Sequence, residues 1–242
     1  MKAFALTNMG VRRNTNQDYA YVSEQNVGNL PNILIVADGM GGHKAGEVAS
    51  ELAVNAVLES IKQNGSKDKI TIIEEAIAKA NEKVLNMATS DEKFKGMGTT
   101  LVVATLENDI LYVANVGDSR LYLIDNDDIR QITRDHSLVQ EMVSLGELDK
   151  ESDRTHARKN VITRAIGVNE KIIADFFEVD ISENTKILLC SDGLSNMVED
   201  SQINDIVKEC AGKTLEDTVH KLIDIANENG GLDNIAVVLA QV

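Results

Sequence analysis

The sequence contains no tryptophan, one proline, two cysteines, four phenylalanines and four tyrosines in 242 residues. With so few aromatic rings, the stacking platforms that hold single-stranded nucleic acid are poorly supplied, and the core has to be aliphatic. Two cysteines are too few for a disulfide framework. Cys190 lies in an apolar run, where it reads as a small core residue, and a reducing compartment is the natural expectation. The single proline, with no repeat or low-complexity segment, leaves no visible domain boundary, so one domain over 1–242 is expected. Long hydrophobic runs are missing too. The apolar stretch after Lys2 stops at Leu6, too short for a signal-peptide core, and no segment approaches the length of a membrane span. A soluble, cytoplasmic protein is therefore expected.

Positive charge is also scarce: 24 Lys and Arg stand against 39 Asp and Glu, a net charge of −15. A nucleic acid or other polyanion would be repelled, and no basic run offers a local exception. The same surplus suits binding of divalent cations, although solvated acidic surface is its commoner cause.

What remains is 43% apolar, enough for a sizeable core. Strand-like runs occur at Ile33 to Ala37, Thr99 to Leu106, Ile110 to Asn115, Leu121 to Ile124, Ile172 to Val179, Ile187 to Cys190 and Ile235 to Leu239. The short polar links Glu107-Asn108-Asp109 and Asp125-Asn126-Asp127-Asp128 have hairpin length, so their flanking strands should pair antiparallel. Helical spacing appears in two long patterns, through Val48, Leu52, Val57, Leu58 and Ile61 and through Ile70, Ile73, Ile77, Val84 and Leu85, and again at 201–210 and 215–228. Helices arriving in pairs between runs of antiparallel strands predict stacked antiparallel sheets flanked by helices. An amphipathic stretch with Leu138, Met142 and Leu145 ends at Gly146, and the charged Glu147 to Lys159 that follows reads as a surface excursion.

The chemistry-bearing pattern is a recurring acid at the end of an apolar run. It appears at Asp38-Gly39, at Gly117-Asp118-Ser119, at Ser191-Asp192-Gly193, and at Asp233-Asn234 before the last strand. An Asp-Gly turn explains one such site comfortably and four awkwardly. Aspartates crowded on one rim of a sheet repel each other unless protons or cations compensate, and carboxylates with turn carbonyls are hard ligands suited to Mg²⁺ or Mn²⁺. Gly39, Gly41, Gly42 and Gly46 precede a helix, but the chain lacks both the Gly-Lys-Ser/Thr ending of a P-loop and the dinucleotide glycine spacing. Arg13, close in sequence to Asp18, adds a fixed cation able to clamp a phosphoryl group through paired hydrogen bonds, though a surface arginine is the commoner case.

Taken in order, these motifs resemble the metal-dependent PPM, or protein phosphatase 2C-type, serine/threonine phosphatases in their compact bacterial form. The resemblance rests on Gly10 with Arg13 and Asn16-Gln17-Asp18, on Val36-Ala37-Asp38-Gly39-Met40-Gly41-Gly42-His43 with Gly46-Glu47, and on Gly98-Thr99-Thr100. It continues through Val116-Gly117-Asp118-Ser119-Arg120, Thr133-Arg134-Asp135-His136-Ser137, Ile162-Thr163-Arg164-Ala165-Ile166-Gly167, Cys190-Ser191-Asp192-Gly193-Leu194 and Gly230-Gly231-Leu232-Asp233-Asn234.

The resemblance implies an α/β (α+β) sandwich of two stacked antiparallel β-sheets flanked by pairs of α-helices, with a binuclear Mn²⁺ or Mg²⁺ site at one rim. It implies that Asp38 bridges the ions, that Asp192 and Asp233 complete the first, and that the Gly39 carbonyl serves the second, with Asp18 acting through water. A third ion is implied between Asp118 and Asp192. Arg13 would hold the phosphate while a bridging water attacks phosphorus directly. The implied substrates are phosphoserine and phosphothreonine proteins, with a eukaryotic-type Ser/Thr kinase as the opposing partner and a monomer as the expected state. The excursion at about 147–160 matches the family's flap.

The chain departs from that pattern at two positions. Met40 stands where eukaryotic relatives place a histidine proposed as general acid, and His43 is not a positional substitute; Ala236 stands where many relatives carry a hydroxyl. A catalytically silent phosphoprotein-binding module and a small-molecule phosphohydrolase of the same fold are the competing readings.

Overall fold

Runs that are apolar at every position form the inner strands of two sheets, and segments with helical spacing cover their outer faces. The computed structural model describes residues 1–42, 44–125, 128–148, 158 and 160–242. In chain order the elements are β1 (Lys2–Asn8), β2 (Asp18–Ser23), β3 (Ile33–Met40), α1 (Ala45–Gln63), α2 (Lys69–Ser90), a 3-10 turn (Glu92–Phe94), β4 (Gly98–Thr99), β5 (Leu101–Glu107) and β6 (Ile110–Val116). They continue with β7 (Arg120–Asp125), β8 (Asp128–Gln131), α3 (Leu138–Ser144), β9 (Asp175–Asp180), β10 (Lys186–Cys190), α4 (Asp192–Ser195), α5 (Asp200–Glu209), α6 (Leu215–Glu228) and β11 (Ile235–Gln241).

One sheet has the order β1-β11-β10-β7-β8 and the other β2-β3-β5-β6-β9, with β4 beside β3. All these pairings are antiparallel, including both expected hairpins, β5 with β6 and β7 with β8. Alternation divides each inner strand between two cores. In β11, Ile235, Val237 and Leu239 pack with Leu222 and Val207 of the helices α6 and α5. Ala236, Val238 and Ala240 instead face the opposite sheet, where they meet Leu34, Val36 and Val102. Ile33, Ile35 and Ala37 of β3 lie under α1 and α2. The result is four layers, helices, sheet, sheet and helices, with an apolar core at each junction. Each fully buried Leu, Ile or Val contributes roughly 1.5–3 kcal/mol, so both faces of the inner strands must be apolar. Cys190 is part of this filling: burial pushes its thiol to about 12.

Three strands that the apolar pattern does not signal, β1, β2 and β8, lie at sheet edges. The fourth edge, β9, begins at Asp175 opposite Asn115 rather than at Ile172, because Ile172 and Ala174 pack on the core beneath α2 instead of pairing. The Thr99 to Leu106 run divides at Thr100 into β4 and β5. Of the expected flap, residues 149–157 and 159 lie outside the described residues, as does His43. Among the described residues no helix is long and apolar enough to cross a membrane.

Candidate active site

Strand pairing sets Asp18 directly opposite Asp38. Opposed residues of an antiparallel pair project to the same face with Cβ atoms about 4.5–5.5 Å apart, so two carboxylates there repel. The second sheet reaches the same rim through the end of β10, which runs into Asp192 at the start of α4, and through Asp233, two residues before β11. Asp118 enters from the turn between β6 and β7. Arg13, Asp38, Gly39, Asp118, Asp192 and Asp233 line one cleft of about 260 Å³, with Met40 and Thr100 in its wall. Asp18 lies beneath it, 7% exposed. The seven residues singled out from sequence are therefore brought together.

Their crowding is visible in their proton affinities. Burial pushes the Asp18 carboxyl up to about 8, with the charges of Asp192 and Asp233 adding to the rise and a hydrogen bond from Ser191 opposing it. Burial and then Asp18 hold Asp38 well above the carboxylate range, and burial with Asp192 raises Asp118 to about 7. Carboxyls this perturbed in a cleft mark a site suited to protons or cations.

The donor set fits a hard divalent ion. Oδ1 of Asp18 is buried with no hydrogen-bond partner among the described residues, an acceptor that a cation or its water would satisfy. No three His, Cys, Asp or Glu side chains among the described residues form a finished metal cage. Protein donors instead orient three of the acids: Asp18 Oδ2 accepts from Ser191 Oγ (2.6 Å), Asp192 Oδ2 from Asn196 Nδ2 (2.9 Å), and Asp233 through both oxygens, Oδ2 from Arg13 Nη2 (2.7 Å) and Oδ1 from the Asn234 N–H (2.8 Å). That pattern suits Mg²⁺ or Mn²⁺, which keep several waters and take few protein oxygens, and not the closed nitrogen and sulfur cage of structural zinc.

Residues around the acids explain why they stay in place. The Asp38 N–H donates to Thr100 Oγ1 (2.9 Å) and the Thr100 N–H donates to the Asp38 carbonyl (2.9 Å), so a side-chain hydroxyl replaces a ladder carbonyl where β4 and β5 part. Gly39 is required here, because a Cβ would lie 2.0 Å from the Gly46 carbonyl where β3 meets α1. Asn234 stitches the Arg13 loop to β11: its Oδ1 accepts from the Gln17 N–H (2.9 Å), and its Nδ2 donates to the carbonyls of Met9 and Thr15 (both 2.8 Å). Ser191 joins the sheets, donating to Asp18 while accepting the Ala236 N–H (2.8 Å). Ala236 thus supports the site through its backbone, and its methyl fills the core between the sheets.

A histidine–aspartate pair is present, but it is not a triad. His136 Nε2 lies 3.2 Å from Asp175 Oδ2, while Nδ1 accepts the Gly117 N–H at 3.1 Å. With its second nitrogen committed to backbone, the ring has nothing left with which to activate a serine. Burial also lowers the His136 pKa. Thr100, Ser191, Asn234 and His136 stand inside motifs that were legible in the sequence, but without a role. Asp175 carried no signal of its own, being a single acid within a strand-like run, at what proves to be the first position of β9.

The sequence profile described as Protein phosphatase 2C matches residues 7–235. A serine/threonine phosphatase Stp of Listeria welshimeri is 42% identical over 245 residues, covering 100% of this chain and 96% of the relative. Among solved structures, the S. agalactiae serine/threonine phosphatase superposes with a TM-score of 0.91 at 36% identity, covering 100% of this chain and 99% of that one. The catalytic domain of the serine/threonine protein phosphatase PstP, solved in complex with two manganese ions, has a TM-score of 0.86 at 30% identity, covering 99% of this chain and 97% of that one.

Proposed function

Because the chain belongs to the protein phosphatase 2C family and is a protein serine/threonine phosphatase, we propose the following division of labour among its cleft residues. Asp38, Asp192 and Asp233 with the Gly39 carbonyl would hold two Mn²⁺ or Mg²⁺ ions, Asp38 serving both, and Asp18 would act through water. Asp118 and Asp192 would hold a third ion. The family is metal-dependent, and the two manganese ions of the PstP domain support the count of core ions. Bound divalent ions supply Lewis acidity, neutralising phosphoryl oxygens and making coordinated water acidic.

The chain's own residues do the rest. Arg13 spends one nitrogen on Asp233, and a guanidinium with five N–H donors keeps others to orient a phosphoryl group. Burial and crowding raise the proton affinity of Asp18, Asp38 and Asp118, so cation uptake near neutral pH should release protons. Ser191 and Thr100 keep Asp18 and Asp38 from turning. With His136 engaged by Gly117, phosphate transfer goes directly to water without a phosphorylated side chain. Met40 cannot donate a proton to the leaving oxygen, so that proton comes from elsewhere than this position.

Phosphorylated proteins are the substrates; a Ser/Thr protein kinase as opposing partner, a monomer of one domain and action in the cytoplasm complete the proposal. The observation that carries it is the convergence of five aspartates, drawn from both sheets, on one cleft beside Arg13. The test is hydrolysis of phosphoserine and phosphothreonine peptides, nucleotides and small phosphate esters by chelator-treated protein before and after Mn²⁺ addition. Peptide hydrolysis restored by Mn²⁺ supports the reading. Full activity after complete metal removal, or faster turnover of nucleotides than peptides, overturns it.

A further inference from the structure

Asp118 sits in a turn with little conformational preference of its own. Gly117 before it has φ +108°, open to glycine and strained for other residues, and Ser119 follows. That turn is gripped from both sides by one dipeptide. The His136 N–H donates to the Gly117 carbonyl (2.9 Å), and His136 Nδ1 accepts the Gly117 N–H (3.1 Å), so one residue satisfies both polar groups of Gly117. Asp135 holds Arg120, two residues after Asp118, through contacts at 3.1, 3.0 and 2.7 Å.

His136 is in turn anchored from behind. Because Nδ1 accepts, the ring proton is on Nε2 and points to Asp175 Oδ2 at 3.2 Å. Arg164 donates to the other Asp175 oxygen at 2.8 Å, and the His136 carbonyl accepts the Thr163 N–H at 2.8 Å. The imidazole is 3% exposed, so water cannot take over these bonds. From this geometry we propose that His136 is a positioning residue that fixes the Asp118 carboxylate and couples it to the 161–164 segment and β9. The proposal rests on the reading of Asp118 as a cation ligand.

Removing the ring leaves the buried Gly117 N–H unsatisfied and leaves the turn held only at the Gly117 carbonyl, by the residue-136 N–H and by Asn115 Nδ2 at 3.2 Å; a misplacement of about 1 Å at a reacting site is worth about 100-fold in rate. The test combines His136→Ala, His136→Asn, Asp118→Ala and the double variant His136→Ala/Asp118→Ala. The readouts are phosphopeptide kcat, Mn²⁺ binding by calorimetry, and the ¹⁵N spectrum of the histidines in unmodified metal-free protein. His136→Ala should lower kcat about 10- to 100-fold and weaken the same Mn²⁺ site that Asp118→Ala weakens, leaving the tighter sites unchanged. His136→Asn, whose Oδ1 can replace Nδ1 as acceptor, should recover most of that loss. The double variant should match Asp118→Ala alone, because the histidine acts through the aspartate.

Losses that multiply in the double variant, equal Mn²⁺ binding in parent and His136→Ala, or a protonated Nδ1 in the ¹⁵N spectrum would each overturn the proposal while leaving the reading of Asp118 intact. If Asp118→Ala alone keeps parental kcat and Mn²⁺ binding, the reading of Asp118 fails and takes the proposal with it.

Discussion

Stripping divalent ions from this protein and raising the pH from 5 to 8 should destabilise it, and Asp18 sets the scale. Its carboxyl titrates near 3.8 in an unfolded chain and at about 8 in the folded protein, chiefly because it is buried. Between those values the folded state holds a proton that the unfolded state has lost, so each step up in pH favours unfolding. The Asp18 contribution is fully present below about pH 4 and gone above about pH 8. At 1.36 kcal/mol per unit, the nearly three units between pH 5 and 8 amount to a loss of roughly 4 kcal/mol, against a total stability of roughly 5–15 kcal/mol for a domain. Asp38 and Asp118 act with the same sign. For a chain of this length a change of about 4 kcal/mol corresponds to a fall in Tm of about 8–16 °C. Thermal melts by circular dichroism at fixed ionic strength read this directly, and saturating Mn²⁺ should close the gap, raising Tm more at pH 8 than at pH 5. The net charge of −15 also disfavours high pH, so Asp18→Asn is the deciding control. Without metal it should melt higher than the parent at pH 8 and lose much of the pH slope, despite its damage to catalysis. A parent melt that is flat or rising from pH 5 to 8, or an Asp18→Asn protein less stable at pH 8, would refute the reasoning.

Asp38→Ala should abolish tight Mn²⁺ binding and reduce phosphopeptide turnover by about 10³-fold or more, while Asp118→Ala keeps the tight sites and loses less; calorimetry and initial rates separate the two. Ser191→Ala removes the donor to Asp18 and strands the Ala236 N–H, so the protein should lose about 2–4 kcal/mol in urea unfolding with no change in m-value. Arg13→Ala should raise KM for phosphopeptides about 10-fold or more, and Arg13→Lys should restore only part of it, because an ammonium lacks the paired geometry; steady-state kinetics at saturating Mn²⁺ tests this.

The inner strands were readable because both faces are buried, so β3, β5, β10 and β11 are almost continuously aliphatic. The edges were not: β1, with Phe4 and Leu6 on one face and Ala3 and Ala5 on the other, is only half-buried, and β8 has four residues of which only Ile129 is apolar. Half-buried strands need less hydrophobicity, so their pattern blurs into loop composition. Four cleft acids were legible as punctuation at strand ends, Asp38 and Asp192 before glycine, Asp118 before Ser119 and Asp233 before Asn234, whereas Asp18 stood out only through its motif with Arg13. Their convergence was not, since it depends on Asp18 and Asp38 sharing a register and on two sheets ending at the same rim. His136 and Asp175, 39 positions apart by subtraction of their numbers, meet only through the tertiary structure.

Four of the five acids come in two pairs, one from each sheet, and the distance between pairs depends on what fills the space between the sheets. At its centre are small residues, Ala104, Ala236 and Ala240, among larger Leu and Val side chains. This middle layer acts as a spacer for the cleft above it. Enlarging one alanine there would press the sheets apart, and with them Asp18 and Asp38 from Asp192 and Asp233, because a close-packed interior transmits strain. The spacing of the acids is therefore open to change through ordinary hydrophobic residues that lie between the sheets and away from the cleft.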